Sequence, residues 1–212
     1  LIVDVDLSRR LFRCVGDGGD VYLGETLIIA TGAQARWLGL ASESKFQGFG
    51  VSACATCDGF FFRDKVVAVV GGGNTAAEEA LYLANIASKV TLIHRRDRMR
   101  AEKILQDRVF ANPKIECVWD TVVVEVLGED DPLGIDGIRL RNVKTEARSE
   151  IAIDGLFIAI GHDPATGLFA DKLEMDTEGY ILTRADSTIT GVPGVFAAGD
   201  VRDKVFRQAV TA

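Results

Sequence analysis

The stretch Val66-Val67-Ala68-Val69-Val70-Gly71-Gly72-Gly73-Asn74-Thr75-Ala76 decides the fold. Five apolar, mostly β-branched residues read as a buried strand, and the glycines force a sharp turn. Beyond it, Ala76, Ala80, Leu83, Ala84 and Ala87 recur at helical spacing along one face. Lys89 to Ile93 then reads as a second strand. Strand, glycine turn, helix and strand together are the local signature of a doubly wound nucleotide-binding sheet. Gly71, Gly73 and Ala76 satisfy G-x-G-x-x-A, whose glycines let the backbone approach a pyrophosphate at the helix N-terminus, with Ala76 allowing close helix packing. A plain close-packing turn is the competing reading.

The end of the second strand selects the nucleotide. NAD-binding folds place an acidic residue there, roughly 20 residues past the glycines, to hold the ribose 2'-hydroxyl. Here His94-Arg95-Arg96 stand, with Arg98 and Arg100 close behind. Guanidinium forks match a phosphate in charge and geometry, so the cluster fits the 2'-phosphate of NADP. A solvated basic face, partly offset by Asp97, is the alternative, and His94 alone is as readily a structural histidine.

Upstream lies Cys54-Ala55-Thr56-Cys57, a spacing shared by redox dithiols and half zinc sites. A structural zinc needs about four ligands, and neither a second C-x-x-C nor a close histidine pair exists, so no metal is expected. Asp58 suits proton handling beside a leaving thiolate, or simply forms the turn before Gly59. A nicotinamide delivers a hydride that a disulfide accepts poorly without a flavin relay.

Around this centre, residues 1–30 alternate as a strand meander that ends in the buried run Leu27 to Ala30, before a turn at Thr31-Gly32-Ala33. A helix is expected over Arg100 to Ala111, with strand-like runs at Ile115–Trp119, Val122–Leu127, Ile138–Val143 and Ile151–Ile160. Gly128 to Gly134 reads as a solvated turn. Val195 to Ala198 reads as a short strand before Gly199-Asp200. No fixed-period repeat or low-complexity segment is visible.

The 212 residues are 48% hydrophobic and 26% charged, enough for one large or two small cores. A net charge of -7 and a pI near 4.9 disfavour nucleic acid as a partner. No apolar run is long enough to span a bilayer. One close cysteine pair among four cysteines suits a cytoplasmic redox or metal protein better than a secreted disulfide scaffold. A start on Leu1 suggests truncation.

Cys54-Ala55-Thr56-Cys57-Asp58-Gly59, Gly71-Gly72-Gly73-Asn74-Thr75-Ala76, His94-Arg95-Arg96 with Arg100, Gly161-His162-Asp163-Pro164, Gly199-Asp200 and Arg207-Gln208-Ala209 resemble low-molecular-weight thioredoxin reductase in order and spacing. The resemblance implies an α/β, Rossmann-like two-dinucleotide-binding flavoprotein, here with a complete NADPH domain and a partial FAD domain. On this basis residues 1–36 and 165–212 resemble FAD-domain pieces, and 37–164 an inserted NADPH domain carrying the redox disulfide. It implies Gly71, Gly72, Gly73, Asn74, Thr75, His94, Arg95, Arg96 and Arg100 as NADPH contacts. It likewise implies Thr31, Gly32, Ala33, Gly199, Asp200, Arg207, Gln208 and Ala209 as FAD contacts. Cys57 would be the flavin-proximal sulfur, Cys54 the exchanging thiol and Asp58 the proton carrier. Thioredoxin or a similar small protein would be the partner, and the intact protein a homodimer whose NADPH domain rotates. The family's first G-x-G-x-x-G unit has no counterpart before Leu27. Rivals are a peroxiredoxin-reducing flavoprotein of the same superfamily, which tends to use NADH, and an inactive NADP-binding fragment.

Overall fold

Alternating residues at the start of the chain pair into an antiparallel meander, β1 (Ile2–Asp6), β2 (Phe12–Gly16) and β3 (Val21–Gly24). The computed structural model describes residues 1–204. Next come β4 (Leu27–Ile29) and β5 (Ala33–Ala35), then helix α1 (Ala41–Lys45), β6 (Val51–Ser52) and helix α2 (Ala55–Asp58). The expected strand–turn–helix–strand unit follows as β7 (Val66–Val70), α3 (Asn74–Ala84) and β8 (Lys89–Ile93). Beyond it lie α4 (Lys103–Ala111), β9 (Ile115–Val118), β10 (Thr121–Asp130), β11 (Leu133–Asn142), β12 (Arg148–Ala152) and β13 (Gly155–Ile158). The strands β14 (His162–Pro164) and β15 (Val195–Ala197) close the order.

These elements divide into two units, one built from residues 1–34 together with the chain from His162 onward, the other from residues 35–161. In the second unit a five-stranded parallel sheet runs in the order β6-β13-β7-β8-β9. Successive side chains on a strand face opposite sides, and each side has its own cover. Val67, Val69, Val90 and Leu92 pack under α3 with Ala76, Ala77, Ala80, Leu83 and Ala84. Ala68, Val70, Ile93, Leu156 and Ile158 pack beneath the antiparallel meander β10-β11-β12 through Val123, Val126, Ile138 and Leu140. The alanines are small enough to let α3 lie close on the sheet, and that closeness places its N-terminus over the ends of the strands.

In the first unit, Val5, Phe12, Ile29, Phe169, Ile181, Val195, Ala197 and Val201 form the core. There β15 pairs in parallel with β4, Val195 opposite Leu27 and Ala197 opposite Ile29.

Three expectations need correction. The run Ile151–Ile160 is two strands: β12 is the exposed edge of the meander and β13 is buried in the parallel sheet between β6 and β7. Asp154 makes the change, giving its N–H to Val66 O and accepting Val66 N–H on Oδ2 at 2.8 Å. The solvated turn expected over Gly128–Gly134 is confined to the exposed Asp131-Pro132, and the residues on either side are paired strand, with Gly128 opposite Ile135 and Asp130 opposite Leu133. A Cβ on Gly128 would press into the Gly134 carbonyl and lie 2.8 Å from Ile135 Cα, so this glycine serves strand contact where the sequence suggested a turn. The helix expected from Arg100 starts at Lys103, because Arg100 and Glu102 are tied to the glycine turn.

Candidate functional site: a nucleotide cradle and a redox disulfide

The cradle lies where β7 ends. A Cβ on Gly71 would meet the Ala159 carbonyl just past β13 and would lie 2.6 Å from Ala76 Cβ. Gly72 has the His94 ring against it, and its added Cβ would fall 2.6 Å from His94 Nε2. Gly73 meets nothing within 4 Å, so the open side of the turn is at the helix N-cap. That N-cap has no side-chain partner and the first turn of α3 carries no acidic residue, which leaves free N–H groups for an anion. The chain leaves β7 for β8 on one side while β13 lies on the other, and this crevice is where open parallel sheets bind ligands.

β8 delivers the second part. His94 is 6% exposed, while Arg95, Arg96, Arg98 and Arg100 are exposed past its carboxyl end. Arg100 N–H donates to Gly72 O at 2.6 Å, which ties the arginine segment to the turn. Burial pushes the His94 imidazole below its ordinary value, and the charges of Arg100, Arg96 and Arg95 push the same way. Its Nε2 is buried and has no hydrogen-bond partner, and the ring stands edge-on to Trp119 at 6.4 Å. Asn74 does not face outward alone: its Oδ1 accepts the Glu102 N–H at 2.8 Å and so clamps the start of α4 to α3. Thr75 is half-buried in the first turn. An anion cradle beside exposed guanidiniums suits a dinucleotide bearing an extra phosphate, so the residues present fit NADPH.

The dithiol sits in the same unit. Cys54 and Cys57 are joined as a disulfide with an S–S length of 2.01 Å. Cys54 is the N-cap of α2, and Cys57 N–H donates to Cys54 Sγ at 3.2 Å, a contact that stabilises negative charge on that sulfur once the bond opens. Asp58 Oδ2 accepts a 2.6 Å hydrogen bond from Ser52 Oγ. Phe60 and Phe61 next to it are 66% and 71% exposed. The remaining cysteines, Cys14 and Cys117, are free and half-buried. Among the described residues, no group of three or more His, Cys, Asp or Glu side chains is placed to hold a metal ion.

In the first unit, β4 and β15 run parallel, so Thr31-Gly32-Ala33 and Gly199-Asp200 emerge at the same, carboxyl end of the two strands. Ala198 N–H bonds to Ile29 O, and Gly199 and Gly32 adopt φ of 75° and 72°, a left-handed turn suited to glycine. Thr31 Oγ1 donates to Ala165 O at 2.7 Å. These residues fit one edge of a flavin nucleotide site. Among the described residues of this unit no glycine turn opens an α-helix. Arg207, Gln208 and Ala209 lie outside the described residues.

The family described as pyridine nucleotide-disulphide oxidoreductase matches residues 2–212. A thioredoxin reductase of Rickettsia felis is 59% identical over 208 residues, spanning 98% of this chain and 67% of that protein. The chain belongs to the thioredoxin reductase family. A Coxiella burnetii thioredoxin reductase is 56% identical and covers all of this chain and 67% of its own length. The crystal structure of the Streptococcus pyogenes thioredoxin reductase superposes with a TM-score of 0.88 at 44% identity, covering 100% of this chain and 68% of that one. The Giardia duodenalis enzyme gives 0.89 at 40% identity, with 100% and 69% covered. The chain thus spans about two thirds of the length of its thioredoxin reductase relatives.

Two contributors carried no signal in the sequence. Ser52 is an ordinary serine two residues before the C-x-x-C, and Glu102 lies beyond the arginine run. Only folding brings the first to Asp58 and the second to Asn74.

Proposed function

We propose that the intact protein reduces the disulfide of thioredoxin, or of a similar small redox protein, with electrons from NADPH. The observation that carries this is the Cys54–Cys57 disulfide built into the same unit as an anion cradle flanked by Arg95, Arg96 and Arg100. When bound, NADPH supplies a hydride and FAD hands its electron pair on to a disulfide. The protein's own groups then do the rest. Gly71, Gly72, Gly73 and the first N–H groups of α3, with Asn74 and Thr75, seat the pyrophosphate. Arg95, Arg96 and Arg100 hold the 2'-phosphate, with His94 packed behind the turn. Thr31, Gly32, Ala33, Gly199 and Asp200, joined by Arg207, Gln208 and Ala209, serve the flavin.

Cys57 takes the electrons, Cys54 exchanges with the partner's disulfide, and Asp58 gives and recovers the proton that the sulfurs need. In this reading residues 1–36 and 165–212 belong to the FAD domain and 37–164 to the NADPH domain. The intact enzyme is a cytoplasmic homodimer, on the strength of the resemblance alone.

The test is the double variant Cys54→Ser/Cys57→Ser in the full-length protein. It is expected to lose thioredoxin reduction while keeping wild-type NADPH affinity. Retained turnover would overturn the assignment, and a preference for NADH over NADPH would favour the peroxiredoxin-reducing relative.

A further inference from the structure

The Asp58 carboxylate takes a hydrogen bond from outside its own helix. Its Oδ2 accepts from Ser52 Oγ at 2.6 Å, and the same Ser52 Oγ accepts the Cys54 N–H at 3.0 Å. A hydroxyl has one proton and two lone pairs. The 2.6 Å contact to the carboxylate takes the proton, since hydrogen bonds to ionised acceptors are the short, strong ones. The lone pairs remain for the Cys54 amide, and the 3.4 Å approach of Ser52 Oγ to Cys54 O is marginal beside these. Ser52 is 7% exposed and lies on β6, the edge strand of the parallel sheet, where Val51 and Ser52 pair with Leu156 and Phe157 of β13. One buried hydroxyl, fixed to the sheet, therefore holds both the carboxylate and the entry of the disulfide loop. Cys57 and Thr56 between them are exposed.

We propose that Ser52 is a positioning residue for the dithiol reaction, setting the place of the Asp58 carboxylate relative to the Cys54 sulfur. This rests on the reading of Asp58 as proton carrier. Reduction breaks the S–S bond, takes two electrons originating from the reduced nicotinamide and needs two protons to end at two thiols. The hydride's own proton accounts for one, and Asp58 supplies the other. Asp58 is recharged from the cavity that it lines together with Ser52, Phe49, Phe61, Lys65 and Asp154. Lys65 and Asp154 are the charged groups bordering that cavity, and both are common to every variant below.

The measurement is the pH profile of alkylation at Cys54 in the dithiothreitol-reduced full-length protein, read by mass spectrometry. It compares wild type, Ser52→Ala, Ser52→Thr, Asp58→Asn and Ser52→Ala/Asp58→Asn. Losing a hydrogen bond to a charged group is worth on the order of tenfold, so Ser52→Ala should change the neutral-pH rate by about that factor and displace the profile. Ser52→Thr, which keeps the hydroxyl, should restore it, and Ser52→Ala should add nothing in the Asp58→Asn background. A Ser52→Ala profile that overlays wild type while Asp58→Asn shifts it sinks the positioning role alone. An Asp58→Asn profile that overlays wild type sinks the proton-carrier reading and this inference with it. An undiminished Ser52→Ala effect in the Asp58→Asn background also overturns it, because Ser52 would then act through the Cys54 amide only.

Discussion

Gly72 has no side chain, and the His94 ring occupies the space one would take. The packing has a pH signature. In the unfolded chain an imidazole titrates near 6.5, and in the fold burial lowers that value, helped by Arg100, Arg96 and Arg95. As pH falls below 6.5 the unfolded state binds the proton first, so stability present above 6.5 is lost progressively toward the folded value. Melting temperature measured from pH 7 to 5.5 should therefore fall in wild type, and the slope should flatten in His94→Asn whatever that variant's absolute stability. The neighbouring arginines make a separate prediction. Arg95→Glu/Arg96→Glu should raise the Kd for NADPH by at least about tenfold, the worth of one charge-assisted contact, and leave NADH binding unchanged. Isothermal titration with both coenzymes decides it.

At the scale of elements, the unit from β7 to β8 was legible in sequence because its pattern is local: an apolar run, glycines and an alanine stripe at helical spacing. The meander was less so. Its strands pair across hairpins, and a mostly apolar run, interrupted at Asp154-Gly155, passes from β12 to β13 in different sheets. Ile138 on β11 is fully buried over the parallel sheet, whereas Arg139 beside it faces outward between Glu125 and Glu150. Ile138→Ala should cost about 2–5 kcal/mol through the cavity left behind. Arg139→Ala should cost about 1 kcal/mol or less, since exposed ion pairs contribute little. Urea denaturation of the two variants measures the contrast.

Over the whole molecule, each unit has its own core, and the chain passes between them at residues 34–35 and 161–162. Residues 35–161 contain the disulfide, the cradle and the arginines on one continuous segment. Expressed alone, that segment should fold and bind NADPH in preference to NADH, as checked by circular dichroism and calorimetry. A segment that stays unfolded would show that its core depends on the rest of the chain.

The sequence by itself determined the cradle, the dithiol and the arginines at the strand end, because each is written in residues close together along the chain. The glycine left open at the N-cap of α3, the serine that holds Asp58 and the amide that clamps Asn74 to Glu102 were decided by tertiary structure. The physical reason is that a hydrogen bond or a close approach between separately placed elements depends on how sheets and helices pack. No spacing rule along the chain encodes that distance.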